Sequence, residues 1–348
     1  MRDQMHKPLQ RLSVVILGKN EEQTISDCLR QITEQELFDR QMLTAEILVV
    51  ANGCTDRTAD QARLCAADLT RPNLEFRIFD LPQGGKSRSW NHAVHEFADP
   101  AAGAFLFIDS DIRLADKCVF DRLVDDFIEN DAVAAYSGYP IKSIAQKKRL
   151  SLLDRFSLIV SKNTRHMNAI CGSLYIIQSD VARTIWLPDE TPGEDGFLNA
   201  MVRTSGFTRE SDPAKVRQAG TVTHYFSAHS PKDFFSHEAR MFVGTIINRW
   251  LFEHLWSLRL HEPAGPLIRD WNSQRPQWTQ EIIDRNIRGR KWLIPPEMLL
   301  GRFRNITTMG LWRFILRLPI AVAATLLTIP PAIMANKRLK LKGAASFW

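Results

Sequence analysis

The stretch FLFIDSDIRL (Phe105–Leu114) runs four apolar residues into two carboxylates set two positions apart. On an extended chain residues i and i+2 point the same way, so Asp109 and Asp111 are expected to face one spot at the exit of a buried strand. Their repulsion calls for an opposite charge. Paired carboxylates at a strand's carboxyl end suit a hard divalent cation, and magnesium characteristically shares one or two carboxylates with substrate phosphates. The plain alternative is an Asp that caps the following helix. A second acidic pair, Glu194 and Asp195 in TPGEDG, stands before an apolar helix. It serves either as a helix cap or, in a loop over the same sheet end, as a general base that takes a proton from an attacking hydroxyl.

Other motifs narrow the chemistry. In DLPQGGKSRSWNHA, Gly85, Lys86 and Ser87 supply the G-K-S of a phosphate loop, but Asp80 stands where its first Gly belongs. The segment also follows the third strand rather than the first, which argues against a nucleoside-triphosphatase. Gly84, Gly85 and Lys86 still suit a place beside a diphosphate. The HEAR of His237–Arg240 is not H-E-x-x-H, and the five cysteines (Cys28, Cys54, Cys65, Cys118, Cys171) form no C-x-x-C pair. Neither zinc hydrolysis nor a disulfide framework is expected, and a reducing compartment fits best.

These residues need a scaffold that gathers them. LSVVIL, AEILVVA, LEFRIF, AFLFID and AVAAYSG read as strands, and EEQTISDCLRQI, TADQARLCAA, SRSWNHAVHEFA and CVFDRLVDDFIE carry apolar residues at helical intervals. Such alternation predicts a doubly wound, mainly parallel α/β sheet. The polar loops GKNEE, NGCTD, PQGGKS and DSDIR then fall at one end of it, where such sheets bind ligands. Beyond Ile141 the spacing predicts a helix through LSLLDRFSLIV, a strand at SLYII, a helix FLNAMVRTSG and a strand through VRQAGTVTHYF. From Pro231 the character changes to long helices rich in Phe, Trp and Arg, which sets a domain boundary near residue 230: a sheet domain over 11–230 and a helical region over 231–348.

At 348 residues with 45% hydrophobic and 24% charged composition, the chain is an ordinary folded protein too long for one small core. Its net charge of +6 is unevenly placed, because twelve Lys and Arg against the single acid Glu297 follow from Arg285 onward, leaving the first 284 residues at −5. A basic tail suits anionic lipid heads or nucleic acid. LPIAVAATLLTIPPAIMA (Leu318–Ala335) is uncharged and flanked by Arg313, Arg317, Lys337 and Arg338. As a helix it would reach about 27 Å, near a bilayer core of about 30 Å. Pro319, Pro330 and Pro331 are expected to interrupt it, and basic residues at both ends oppose a single crossing. A re-entrant or interfacial segment with both flanks on the cytoplasmic side is therefore expected; a true span and a buried core helix are the alternatives. No signal peptide is recognised in MRDQMHKPLQRLSVVIL, so the cytoplasmic face of the membrane is the expected location.

In order, VILGKNEE, VVANGCTDRT, GGKSRSWNHAV, FIDSDI and PGEDGFL resemble family-2 glycosyltransferases of the GT-A fold, over roughly Arg11 to Phe226. The resemblance implies Mg2+- or Mn2+-dependent transfer of a sugar from a nucleoside-diphosphate donor with inversion. It implies Asp111 as metal ligand with Asp109 toward the metal and donor, Asp195 as base with Glu194 its neighbour, Asn20 and Glu21 near the nucleotide, and Lys86 beside the donor. One position departs: Ala51 replaces the acid expected before the N-G pair, leaving Asn52, Asp56 or backbone groups to read the base. INRW at Ile247–Trp250 matches only part of the Q-x-x-R-W motif of processive relatives, and several spans are absent, so single additions are expected, onto a polyprenyl- or other lipid-linked acceptor.

Two rivals remain. A nucleotidyltransferase on a related fold would use the same metal acids but has no need of a base at Asp195. A catalytically inactive GT-A binding module would need neither acid set. A nucleic-acid partner is not expected, because the basic residues lie in the tail among apolar ones rather than on the sheet domain.

Overall fold

The computed structural model describes residues 9–130, 132–147, 149–151, 154, 155, 158, 168–227, 231–307 and 311–342. Its chain divides into two compact units: 1–189 with 194–228 and 259–273, and 190–193 with 229–258 and 274–348.

The first unit is a layered α/β structure. In chain order it holds β1 (Arg11–Gly18), α1 (Ile25–Thr33), β2 (Thr44–Asn52), α2 (Thr58–Asp68), β3 (Leu74–Leu81), α3 (Lys86–His92), β4 (Ala104–Ile108), β5 (Arg113–Leu114), α4 (Val119–Ile128), β6 (Ala135–Ser137), β7 (Pro140–Lys142), β8 (Leu174–Gln178), α5 (Ser179–Arg183), α6 (Glu194–Arg203), β9 (Val216–Gln218) and β10 (His224–Phe226). Helix α8 (Gly265–Gln274) returns to it, all but its last residue.

Seven strands form one sheet in the order β3-β2-β1-β4-β8-β6-β9, and β5, β10 and β7 form a second. The β1, β2, β3 and β4 ladder is parallel; β1, β2 and β4 are near-continuous apolar runs buried on both faces, while the edge strand β3 is only partly covered. Helices cover the faces by amphipathic spacing: α1 buries Ile25, Cys28, Leu29 and Ile32, and α4 buries Val119, Phe120, Leu123, Val124 and Phe127.

Two expectations from the sequence need correcting. Steady alternation placed the AVAAYSG strand next in a parallel ladder, yet β8 lies antiparallel between β4 and β6. The five-residue β8, wholly buried over its first four positions, takes the central slot, and the three-residue β6 pairs outside it. VRQAGTVTHYF is not one strand but β9 in the large sheet and β10 in the small one. The helix expected through LSLLDRFSLIV lies mostly outside the described residues. The mainly parallel sheet itself stands, with the helix of FLNAMVRTSG starting earlier, at Glu194.

The second unit is helical, with α7 (Pro231–Ser257), α9 (Trp278–Ile287), α10 (Pro296–Thr307) and α11 (Leu311–Lys342). Helix α7 buries Ala239, Val243, Ile246, Ile247, Trp250, Leu251 and Leu255, one stripe at three- and four-residue steps. Helix α11 runs unbroken through Pro319, Pro330 and Pro331, so the expected interruption, and with it a re-entrant turn, is absent. Each proline removes one backbone donor and leaves the rest of the ladder in place.

Candidate active site

Four loops meet at the carboxyl ends of β1 to β4, and short backbone approaches fix them. Gly53 has φ +59°, and a Cβ there would fall 2.4 Å from the Gly84 nitrogen, so the turn after β2 and the glycine loop after β3 touch through backbone alone. Asn52 reinforces this contact, its Oδ1 accepting from the Gly85 N–H at 2.6 Å. Asn20, with φ 57°, ties the β1 loop to the β2 loop through Oδ1, which accepts from the Thr55 N–H at 2.8 Å. Asp56 accepts from the N–H groups of Glu22 at 3.2 Å and Thr58 at 3.0 Å. Glu21 takes a hydrogen bond from Thr24 and donates its own N–H to Thr58 Oγ1 at 2.7 Å. The side chains of Asn20, Asn52 and Asp56 thus engage neighbouring loops, and Ala51 is wholly buried in β2.

The centre is a charge cluster. Lys86, first residue of α3, places Nζ 2.9 Å from Asp109 Oδ1 and 3.0 Å from Glu194 Oε1. Asp109 follows β4, with its N–H on the Ser173 carbonyl at 2.9 Å. Glu194 and Asp195 form the first turn of α6, where the helix dipole favours negative charge. A small cavity brings Lys86, Asp109, Glu194 and Asp195 together over Phe107 and Tyr175. Burial would lower the Lys86 amine's pKa, but Asp109 and Glu194 hold it well above its usual value. Burial, with help from Asp111 and Glu194, raises Asp109 despite its lysine. Asp195 is pushed up to about 6, first by burial and then by Glu194, with Lys86 and the Gly196 N–H opposing.

Asp111 is placed differently from the expectation. The strand ends at Ile108 and residues 110 and 111 form a turn, so strict alternation no longer applies. Asp109 lines the cavity with Lys86, while Asp111 lines a wider concavity of about 490 Å³ with Thr24, Gln31, Arg113 and Tyr225. They remain electrostatic neighbours: burial first, then Asp111, Asp109 and Asp56, raise Glu21, against the Thr24 hydrogen bond. Among the described residues no group of three or more His, Cys, Asp and Glu side chains stands ready to hold a metal. Asp109 already pairs with Lys86, so Asp111 on the wider concavity, with Asp109 as its electrostatic neighbour, is the carboxylate that fits a hard divalent ion whose remaining oxygens come from a diphosphate.

Sequence reasoning missed the support. Trp90 Nε1 donates to the Tyr175 hydroxyl at 2.9 Å, and Phe107 stacks on both rings, at 5.8 Å from Trp90 and 4.9 Å from Tyr175. Strand alternation from Asp109 back to Phe107 was the available signal for one of the three. Gly172 lies under Asp195, where an added Cβ would sit 3.1 Å from the Asp195 Cβ. His224 is neutral structure: burial drives its pKa down to about 3, and Ser173 and Thr223 hold its ring nitrogens at 2.7 and 2.8 Å. In the second unit, Asn248 of α7 donates to the Gly193 carbonyl at 2.7 Å, and a Cβ on Gly244 would lie 3.2 Å from the Pro192 carbonyl oxygen. Gly193, at φ +81°, is the residue covalently before Glu194.

Comparison with known proteins agrees with this architecture. The solved mannosyltransferase PcManGT from Pyrobaculum calidifontis, in complex with GDP-Man and Mn2+, is similar over 95% of this chain and 87% of its own, at 15% identity and a TM-score of 0.52. Glucosyl-3-phosphoglycerate synthase from Mycobacterium tuberculosis, solved with Mn2+, UDP-glucose and phosphoglyceric acid, gives 14% identity, coverage of 67% and 78%, and a TM-score of 0.44. S. aureus TarS 1–349 with UDP gives 17% identity, coverage of 95% and 87%, and a TM-score of 0.43. No curated protein matches. The first of these similarities carries the fold, and the family follows from the chain itself: the model described as Glycosyl transferase family 2 matches residues 13–186, the half that holds the parallel strands, their loops, Lys86, Asp109 and Asp111, and the chain belongs to that family.

Proposed function

We propose that the protein is an inverting glycosyltransferase that moves a sugar from a nucleoside-diphosphate donor to an acceptor hydroxyl, one sugar at a time. Residues 11–230 form its transferase domain and residues 231–348 a helical, membrane-associating region. The observation that carries this reading is Lys86, one partly buried cation shared between the acid after β4 and the acid pair opening α6. A nucleotidyltransferase has no use for that second acid set, and an inactive binding module has no use for either.

Asp195 is the base. With its pKa near 6 it is largely ionised at neutral pH yet basic enough to take the acceptor's hydroxyl proton. The acceptor oxygen bonds to the anomeric carbon as the bond from that carbon to the diphosphate oxygen breaks, and the electron pair leaves with the diphosphate. Lys86 sets a positive charge beside Asp109, on the leaving-group side. Asp111, with Asp109 as its electrostatic neighbour, would hold Mg2+ or Mn2+, which when bound would neutralise charge developing on the departing oxygens. Asn20, Glu21, Asn52 and Asp56 shape the nucleotide end, where the buried Ala51 leaves backbone groups to face the base.

The acceptor is lipid-linked, a polyprenyl-phosphate carrier or a glycan built on one, and the setting is cell-surface glycan or exopolysaccharide synthesis at the cytoplasmic face. The basic, apolar C-terminal region supports this part of the reading. A screen of nucleotide sugars, beginning with GDP-mannose and UDP-glucose, tests the whole by thermal stabilisation and nucleotide release with and without Mn2+. Metal-dependent stabilisation by the donor in both wild type and Asp195→Asn, with metal-dependent nucleotide release lost in Asp195→Asn, is expected. Release unchanged in Asp195→Asn overturns the assignment.

A further inference from the structure

The apolar pattern of α11 is inside out. Its buried positions between Leu318 and Ala335 include Ala321, Ala324, Thr328, Ala332 and Ala335, at three- and four-residue steps, whereas Ile320, Leu326, Leu327, Ile329 and Ile333 are 39% to 60% exposed. A helix on a water-facing surface does the reverse, burying large aliphatic side chains. No charged residue stands between Arg317 and Lys337 to break the outer face. The segment Arg317–Leu341 is long and apolar enough to cross a membrane.

Its neighbour opposes crossing. Helix α11 packs along α7, with Arg338 Nη2 on Ser236 Oγ at 2.9 Å. Exposed Arg240, Arg249 and Glu253 stud α7, Arg249 reaching Glu253 at 3.0 Å and Glu297 at 2.6 Å. Threading α11 through a bilayer would carry these charges into hydrocarbon, where they are costly. Lying in the membrane plane, α11 can bury its outer face and leave α7 in water. The cations Arg317 at one end and Lys337 and Lys340 at the other complement anionic head groups.

We propose that α11 is an in-plane anchor whose outer ridge of Ile320, Leu326, Leu327, Ile329 and Ile333 sits among the acyl chains of an anionic bilayer. This deepens the membrane part of the proposed function, and its test needs no sugar transfer, so the two stand or fall separately. Full-length protein is floated with vesicles of phosphatidylcholine alone or mixed with phosphatidylglycerol. Wild type is expected to float with the mixed vesicles, less with phosphatidylcholine or at high salt, and to be released by alkaline carbonate. Leu326→Glu with Ile333→Glu is expected to lose flotation at least tenfold with an unchanged melting temperature; if that pair fails to fold, Leu326→Ser with Ile333→Ser serves instead. Wild-type flotation by a folded pair variant, retention through carbonate as for a crossing helix, or a dimer that the pair variant abolishes without any vesicle binding would each overturn the proposal.

Discussion

The loop end of the sheet and the helix α11 solve opposite problems with the same two kinds of side chain. At the sheet end, aliphatic residues are inside and charges are drawn in beside them, where Lys86, Asp109, Glu194 and Asp195 survive only as a mutually compensating set. On α11 the charges stay at the ends, and the large aliphatic residues face out over a seam of alanines. Desolvation governs both places. In the first it makes each charge depend on a partner; in the second it leaves a face that water does not solvate well. Hydrophobicity along a sequence therefore says that a residue leaves water, not what it meets instead.

The comparison can be broken most directly at the cluster. Asp195→Asn keeps the shape and removes the base, and turnover is expected to fall by about 10²–10⁴ in nucleotide-release assays. Wild-type turnover there would mean the cluster is structural, like the charges elsewhere on the fold. Lys86→Met leaves two partly buried carboxylates without their cation, and a loss of about 1–3 kcal/mol is expected in denaturant unfolding. The rate should respond to pH in a definite direction. A base must be ionised, so below about pH 6 turnover should drop roughly tenfold per unit as Asp195 takes up a proton. Because Glu194 raises that pKa, Glu194→Gln should move the acid limb to lower pH, as read from the pH profile of kcat/KM.

On α11 the contrast is sharpened by two adjacent substitutions. Ala332 is fully buried, so Ala332→Leu should overpack the seam and cost about 1–3 kcal/mol. Ile333, 54% exposed, should tolerate Ile333→Ala within about 0.5 kcal/mol in detergent-free unfolding. A conventional core helix would reverse that order. A modest effect on rate is expected at the turn before Glu194, where Asn248→Ala removes the amide that holds Gly193. A fall of about tenfold in kcat, with donor KM unchanged, corresponds to the loss of a hydrogen bond worth about 1 kcal/mol or slightly more.

Much of this could be read from the chain. The runs VVIL, ILVVA and FLFI announced β1, β2 and β4, because a parallel strand covered on both faces must be apolar throughout. Lys86, Asp109, Glu194 and Asp195 could be picked out because carboxylates at strand and helix ends are out of place unless something compensates them. The antiparallel insertion of β8 was hidden, since no local pattern records which strand takes a central slot. The Trp90–Phe107–Tyr175 stack under the acids, and Asn248 holding a carbonyl 55 residues away, join segments that local periodicity cannot connect.

Residue types and their order determined the family, the parallel half of the sheet and the acids gathered at its end, because period, turn residues and strand composition act over a few neighbours. Tertiary structure alone decided that one lysine serves both acid motifs, that Asp111 turns into a separate concavity, and that the large side chains of α11 face outward. Those outcomes depend on which distant surfaces exclude water from which side chains, a property of the assembled unit rather than of any stretch of it.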